Sequence, residues 1–348
     1  MTELNRRHLI KALAALGGVS ALGIPAVQAA TRQLIVTTYG GSWEKFWREL
    51  MLPAFTQETG VTPQLDVGLG RVYATNIRAA GVDNPPYDCV MTNEIFAGAL
   101  RAEGYFEKLD LSLVPNYADL YPVATRAADG WGAVGLISPI GIGYRTDMIA
   151  TPPTSWTELW DNPELMGRLG LYNIANSAGK MFLMLTSQIY GSGLQDIDTG
   201  FAKLRELGPV YQTDFNMSTA LATGEIAVAP FDFGEIARLR NQGLPVDCVI
   251  PAEGLMMWDQ TFNIANNAGA REDAYKYLDF VLGPVGQDLL MREFFVSPVN
   301  RNVVVPEDLA RDVPVSGEAM SQFIDWDWDF MNANAEEIAR RWNEIFGA

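Results

Sequence analysis

The sequence predicts a two-lobed α/β protein, each lobe a mainly parallel sheet flanked by helices, with a cleft between the lobes. Three observations predict it. Residues 33–103 alternate short β-branched runs with helix-periodic runs, and a β-α-β-α-β-α rhythm implies a parallel sheet covered by helices. Residues 131–144 break that rhythm with an apolar stretch punctuated by Gly132, Gly135, Gly141 and Gly143, as expected of a first crossing between lobes. A second β/α unit follows over residues 145–250, after which the chain turns back towards the first. A length of 348 residues suits two domains of roughly 150 residues each. Lobe 1 is expected to hold residues 30–139 and 262–317, lobe 2 residues 140–261, and a C-terminal helical segment residues 318–348.

Taken in order, residues 1–29 are expected to be an export signal. Asn5-Arg6-Arg7-His8-Leu9 resembles the twin-arginine pattern. Residues 9–24 are moderately apolar but shorter than the ~20 residues that span a bilayer. Val27-Gln28-Ala29 offers small residues at the −3 and −1 positions of a cleavage site. Residues 33–38 form a strand by their Leu34-Ile35-Val36 core. Tyr39-Gly40-Gly41-Ser42-Trp43 follows, with Ser42 as N-cap of a helix over residues 44–55. A strand–glycine turn–helix places ligand contacts at the strand's carboxyl end. It is no phosphate loop, because the Gly-Lys-Ser/Thr ending is missing.

Residues 62–67 make the next strand and 72–80 the next helix. Pro85-Pro86 precedes the strand Cys89-Val90-Met91. Thr92-Asn93-Glu94 then takes the same topological place as Tyr39–Trp43, ahead of a helix at 95–103. Within residues 131–144 a strand pair is expected, with Pro139 between its members. Lobe 2 should contain a helix at 157–160, a strand at 169–172, a polar turn at 173–180 and helices at 181–190, 196–206 and 218–223. A strand at 225–229 should end in Pro230-Phe231-Asp232-Phe233-Gly234, followed by a helix at 235–241 and a strand at 245–250. Glu253-Gly254 begins a turn that carries Trp258, Asp259 and Gln260 to the edge of a strand at 261–264. An aromatic, an anion and an amide there suit a small cationic or zwitterionic ligand. Helices are expected at Arg271–Leu282, 285–294 and 336–346, the last amphipathic with Glu336/Arg340 and Glu337/Arg341 four apart.

Charge and composition exclude several function classes. The chain has 25 Lys+Arg against 42 Asp+Glu, a net charge of −17; without residues 1–29 the counts are 22 and 41, a net charge of −19. Nucleic acid or an anionic membrane would require a basic face. The single histidine, His8, lies in the expected signal, so the mature chain has no Ser-His-Asp or Cys-His chemistry and no His-bearing metal site. Cys89 and Cys248, both in strand-like settings, are expected to be core thiols.

Several stretches together resemble extracellular solute-binding proteins of ABC importers, in the branch that includes spermidine/putrescine-binding proteins. They are Tyr39-Gly40-Gly41-Ser42, Tyr87-Asp88-Cys89-Val90-Met91, Gly143-Tyr144-Arg145-Thr146-Asp147, Pro152-Pro153-Thr154-Ser155-Trp156-Thr157-Glu158-Leu159-Trp160, residues 240–247, and Glu253-Gly254 through Ile264. The resemblance covers nearly the whole mature chain. It implies a periplasmic-binding-protein fold of type II whose cleft closes by hinge motion. It also implies a small-molecule solute as ligand, an inner-membrane ABC permease as partner, a soluble periplasmic monomer, and neither cofactor, metal nor catalysis.

By that resemblance, Tyr39 and Ser42 match first-lobe contacts, Asn93 falls where a serine usually sits, and Trp258 matches an aromatic wall. Gln260 stands where a carboxylate is usual, with Asp259 beside it. Asp232 aligns with a second-lobe aromatic, flanked by Phe231 and Phe233. The family's acidic pair meets Asn173, Asn176, Ser177 and Lys180. These departures favour a shorter amine or a zwitterion over a long polyamine, with Asn176, Ser177 or Lys180 placed for a ligand's carboxylate or phosphonate. Trp43, Glu94 and Glu235 complete the candidates. Trp326-Asp327-Trp328-Asp329 reads as a packing anchor and Met256-Met257 as core filler. The alternatives are a carboxylate-dependent hydrolase such as a glycosidase, with Asp232 and Asp259 facing each other about 5–9.5 Å apart, and a ferric-ion binder or receptor-coupled sensor of the same fold.

Overall fold

Nine strands organise residues 32–347, which the computed structural model describes; the expected export signal at 1–29 lies outside them. They are β1 (Ile35–Thr38), β2 (Gln64–Val67), β3 (Cys89–Thr92), β4 (Ala133–Arg145), β5 (Gly170–Tyr172), β6 (Tyr211–Thr213), β7 (Val228–Asp232), β8 (Val246–Val249) and β9 (Met256–Ile264). One sheet runs β2-β1-β3-β9-β4-β7, with β8 also on β4, while β5 and β6 pair separately. Among the named strands, parallel pairing, implied by the β-α rhythm, joins β1 to β2 and β3 and β5 to β6, and isolated parallel bridges join Leu169 to Val228 and Leu255 to Phe323. The two long strands β4 and β9 are antiparallel to each other and to every other strand they pair with. β4 leads the chain from one apolar core into the other and β9 leads it back, so they run in opposite directions.

Residues 133–145 are one thirteen-residue strand rather than a pair broken at Pro139. Pro139 falls where β4 changes neighbours. Its pairing with β9 ends at Ile140↔Met256 and its pairing with β7 begins at Ile140↔Asp232. A residue without an N–H is tolerated at such a change of partner. The glycines mark close approaches, not breaks. A methyl group on Gly141 would overlap Val249 O, and one on Gly135, at the β-bulge between Val134 and Leu136, would press on the Phe262 ring. Likewise β7 runs through Pro230 to Asp232, and β9 begins at Met256, so Trp258, Asp259 and Gln260 sit inside a strand and not in a turn before one.

The helix Ser42–Phe46 is preceded by Gly41 at φ 72°, so Gly41 and not Ser42 holds the N-cap position; only glycine adopts that backbone without strain. A π-helical turn, Trp47–Met51, joins it to the helix Leu52–Thr59. The helix Ser177–Tyr190 starts inside the expected polar turn, because Asn176 Oδ1 accepts from Ala178 N at 2.9 Å and caps it.

Apolar side chains fall into two large cores that divide the crossing strands between them. Ala133–Ile137 of β4 and Met257, Phe262 and Ile264 of β9 belong to the first, with Leu34, Val36, Phe55 and Leu278. Ile140, Ile142 and Tyr144 of β4 and Met256 of β9 belong to the second, with Trp156, Phe182, Phe201 and Val228. A smaller cluster around Tyr73, Ile77, Tyr87 and Leu100 includes Val90 of β3. The helix Ala335–Phe346 buries Ile338 and Trp342 in the second core. Its Arg341 pairs with Asp198 at 2.7 Å and with Glu337 at 3.6 Å, but Arg340 pairs with Glu344 and not with the expected Glu336. Trp326 and Trp328 pack against that core, and Asp327 Oδ1 caps the helix Trp328–Ala333 through Phe330 N at 2.9 Å, as a packing anchor would. Cys89 is buried, Cys248 partly so, and both are free thiols.

Candidate functional site

A cavity of about 470 Å³ opens where the two cores meet. Its floor is made by the crossing strands. Successive residues of a strand face opposite sides, and every second one reaches the cavity: Leu136 and Ser138 from β4, Trp258 and Gln260 from β9. Register sets Ser138 opposite Trp258 and Leu136 opposite Gln260. One wall comes from the turn after β1 and from residues near 295: Tyr39, Ser42, Trp43, Phe294 and Val296. The other comes from β5, β7 and neighbouring loops and helices, with Tyr172, Phe231, Asp232, Glu235 and Arg238 among its residues.

Tyr39 Oη donates to Gln260 Oε1 at 2.7 Å. Its ring meets Trp43 edge-on at 5.6 Å, and Trp43 stacks on Phe294 at 4.7 Å. Across the floor, Tyr172 meets Trp258 edge-on at 5.4 Å. Burial raises the pKa of both tyrosines, so each phenol stays neutral. Asp232 ends β7 with only 7% of its surface exposed. Ser138 Oγ donates to its Oδ2, and Glu235 N donates to its Oδ1 at 2.7 Å, which caps the helix Phe233–Asn241. Burial first, and the Glu235 charge second, push the Asp232 carboxyl up to about 6. Glu235 also pairs with Arg238, one turn along the same helix. Asp214 and the 84%-exposed Phe215 stand at the rim.

Of the residues expected to bind ligand, Tyr39, Ser42, Trp43, Asn176, Asp232, Glu235, Trp258 and Gln260 share this cavity. Asn93, Glu94, Ser177 and Asp259 do not line it. Strand alternation turns Asp259 to the back of β9, where its Oδ2 accepts from Glu94 N at 2.9 Å. Glu94 in turn pairs with Arg101 and accepts from Thr261 Oγ1 at 3.0 Å. Burial holds the Asp259 carboxyl up near 7, against the pull of Arg101. This is a polar cluster behind the floor, next to Trp326 and Trp328. Asn93 occupies the N-cap position of the helix Glu94–Ala102. Asn176 reaches the cavity, but its carbonyl oxygen caps a helix and its amide donates to Asp214 O at 2.9 Å. Lys180 lines a separate cavity of about 600 Å³ beside Gln212, Trp342 and Phe346. It is not placed to meet a ligand carboxylate in the first cavity.

Ser138, Tyr172, Ser218, Arg238, Phe294 and Val296 were not singled out from sequence. Ser138 had a signal, as a lone hydroxyl in the apolar run 133–142. Phe294 and Val296 had none, because apolar residues at a cavity wall and in a core look alike.

The profile of the bacterial extracellular solute-binding protein family matches residues 84–334. The spermidine/putrescine-binding periplasmic protein of Escherichia coli is 27% identical over 300 residues, 80% of this chain and 79% of that one. A gamma-aminobutyric acid-binding protein of Pseudomonas aeruginosa is 22% identical over 335 residues, 91% and 92% of the two chains. Among solved structures, an ABC transporter protein from Clostridium perfringens superposes with a TM-score of 0.79 at 24% identity, covering 90% of this chain and 100% of that one.

Proposed function

The chain belongs to the family of bacterial extracellular solute-binding proteins, and from that membership we propose that it captures a small amine-bearing solute for an ABC permease of the inner membrane. The observation that carries the ligand class is Asp232, a buried carboxylate among the rings of Tyr172, Phe231 and Trp258. A carboxylate between aromatic faces attracts an ammonium group by charge and by the ring quadrupole. The relatives point the same way, being binding proteins for spermidine and putrescine or for gamma-aminobutyric acid. Residues 1–29 would export the protein to the periplasm. No helix among the described residues is long and apolar enough to cross a membrane.

Capture follows from the cavity's place where the two cores meet. A solute held by both walls favours the arrangement in which they are close, and the permease would engage that arrangement. The hydrolase alternative needs two carboxylates facing one another across the cleft. Asp259, the partner expected for Asp232, is turned behind β9.

Calorimetric titration of the mature protein with a panel of amines is the test. At least one small amine should bind, and Asp232→Asn should weaken it by about 10-fold or more, the scale of a charge-assisted hydrogen bond. Amines that bind no better than neutral isosteres would overturn the assignment.

A further inference from the structure

The cavity's charge is confined to one side. All four of its charged side chains, Asp214, Asp232, Glu235 and Arg238, come from residues 214–238. The opposite wall, Tyr39, Ser42, Trp43, Phe294 and Val296, has none. Its polar side chains are the hydroxyls of Tyr39 and Ser42. Gln260 Oε1 accepts from Tyr39 Oη. Trp43 stacks on both Phe294 and Trp47, at 4.7 and 5.7 Å with interplanar angles of 19° and 22°, which occupies its π surface with rings.

The floor gives the spacing. Ser138, which holds Asp232, and Leu136, which lies opposite Gln260, are two residues apart on β4. Two residues of strand span roughly 6.6 Å. An ammonium seated at Asp232 therefore puts the other end of a five-carbon solute among Leu136, Trp43, Phe294 and the Tyr39–Gln260 pair. A charge at that end would lose its water with no opposite charge to meet, which is costly.

We infer that the solute is one-ended: its charge gathers beside Asp232 and Arg238, and its far end is an uncharged alkyl or aryl group packed against Leu136, Phe294 and the edge of Trp43. This deepens the amine assignment above and rests on it. It admits alkyl- and arylamines, and amino acids whose ammonium and carboxylate both lie at the same end. It disfavours diamines and ω-amino acids, which are charged at both ends.

The test compares length-matched probes by calorimetry on the mature protein: n-pentylamine, 2-phenylethylamine, 1,5-diaminopentane and 5-aminopentanoate. The two one-ended amines should bind about 10-fold or more tighter than the two-ended probes, given the cost of an unpaired buried charge. A second arm places an acid on the uncharged side. Gln260→Glu, checked for folding by circular dichroism, should raise diaminopentane affinity about 10-fold and move pentylamine far less. Diaminopentane or aminopentanoate binding as tightly as pentylamine to the wild type would overturn the inference while leaving the amine assignment standing. No binding by any of the four, nor by any amine of the wider panel, would overturn both.

Discussion

Asp232 has two duties in one side chain. Its carboxylate caps the helix Phe233–Asn241 and faces the cavity. Because burial lifts its pKa to about 6, an ammonium must displace a proton when it binds near that pH. Amine affinity should fall about 10-fold between pH 7.5 and 5, as the carboxylate is neutralised. Titrations at pH 6 in buffers of different ionisation enthalpy should show proton release. Asp259 gives a stability prediction of its own. Its folded pKa of about 7 lies above the roughly 3.9 of an unfolded aspartate. Between those values the folded chain holds more protons, so stability falls as pH rises through that window. The melting temperature should drop from pH 5 to pH 8, and Asp259→Asn should flatten that slope. Sequence placed both acids in one cleft. The residue types were right for buried carboxylates, but their direction depends on a strand whose start was not visible.

At the scale of elements, the amphipathic helices were legible because one face is apolar; Arg271–Leu282 appears with the bounds its periodicity gives. The crossing strands were not. All thirteen residues of β4 are buried, so it lacks the polar–apolar alternation that marks a half-exposed strand. Its glycines and Pro139 imitate turn signals, although their role is to let neighbouring backbone and rings approach. Gly141→Ala tests this, because the added methyl would overlap the backbone oxygen of Val249 and press on the Phe233 ring. The expected loss is about 1–3 kcal/mol, typical of overpacking, read as a lower urea midpoint with unchanged slope. A substitution that cost nothing would mean β4 and β8 separate more readily than their register implies.

For the whole molecule, the division of β4 and β9 between two cores ties the halves together through the cavity floor. A solute at 100 times its Kd should add about 2.7 kcal/mol to unfolding. Since the floor belongs to both cores, that gain should appear as one shifted transition and not as a new, separate one. The C-terminal helix is part of the second core through Ile338 and Trp342. Trp342→Ala should therefore cost roughly 3–5 kcal/mol, measured by denaturant unfolding, although the residue lies far beyond β9 in the chain. The β-α rhythm made the architecture readable, and the Tyr39–Trp43 part of the uncharged wall was readable too, whereas Phe294 and Val296, which complete it, carry no chemical signature. The strand that carries Trp258 and Gln260 also restricts how this family member can change over generations. Adding or deleting a single codon within β9 would exchange the outward and inward sets at a stroke, putting the acid in front and the ring behind. Descendants can retune the pocket only letter by letter, with the reading of the strand left intact.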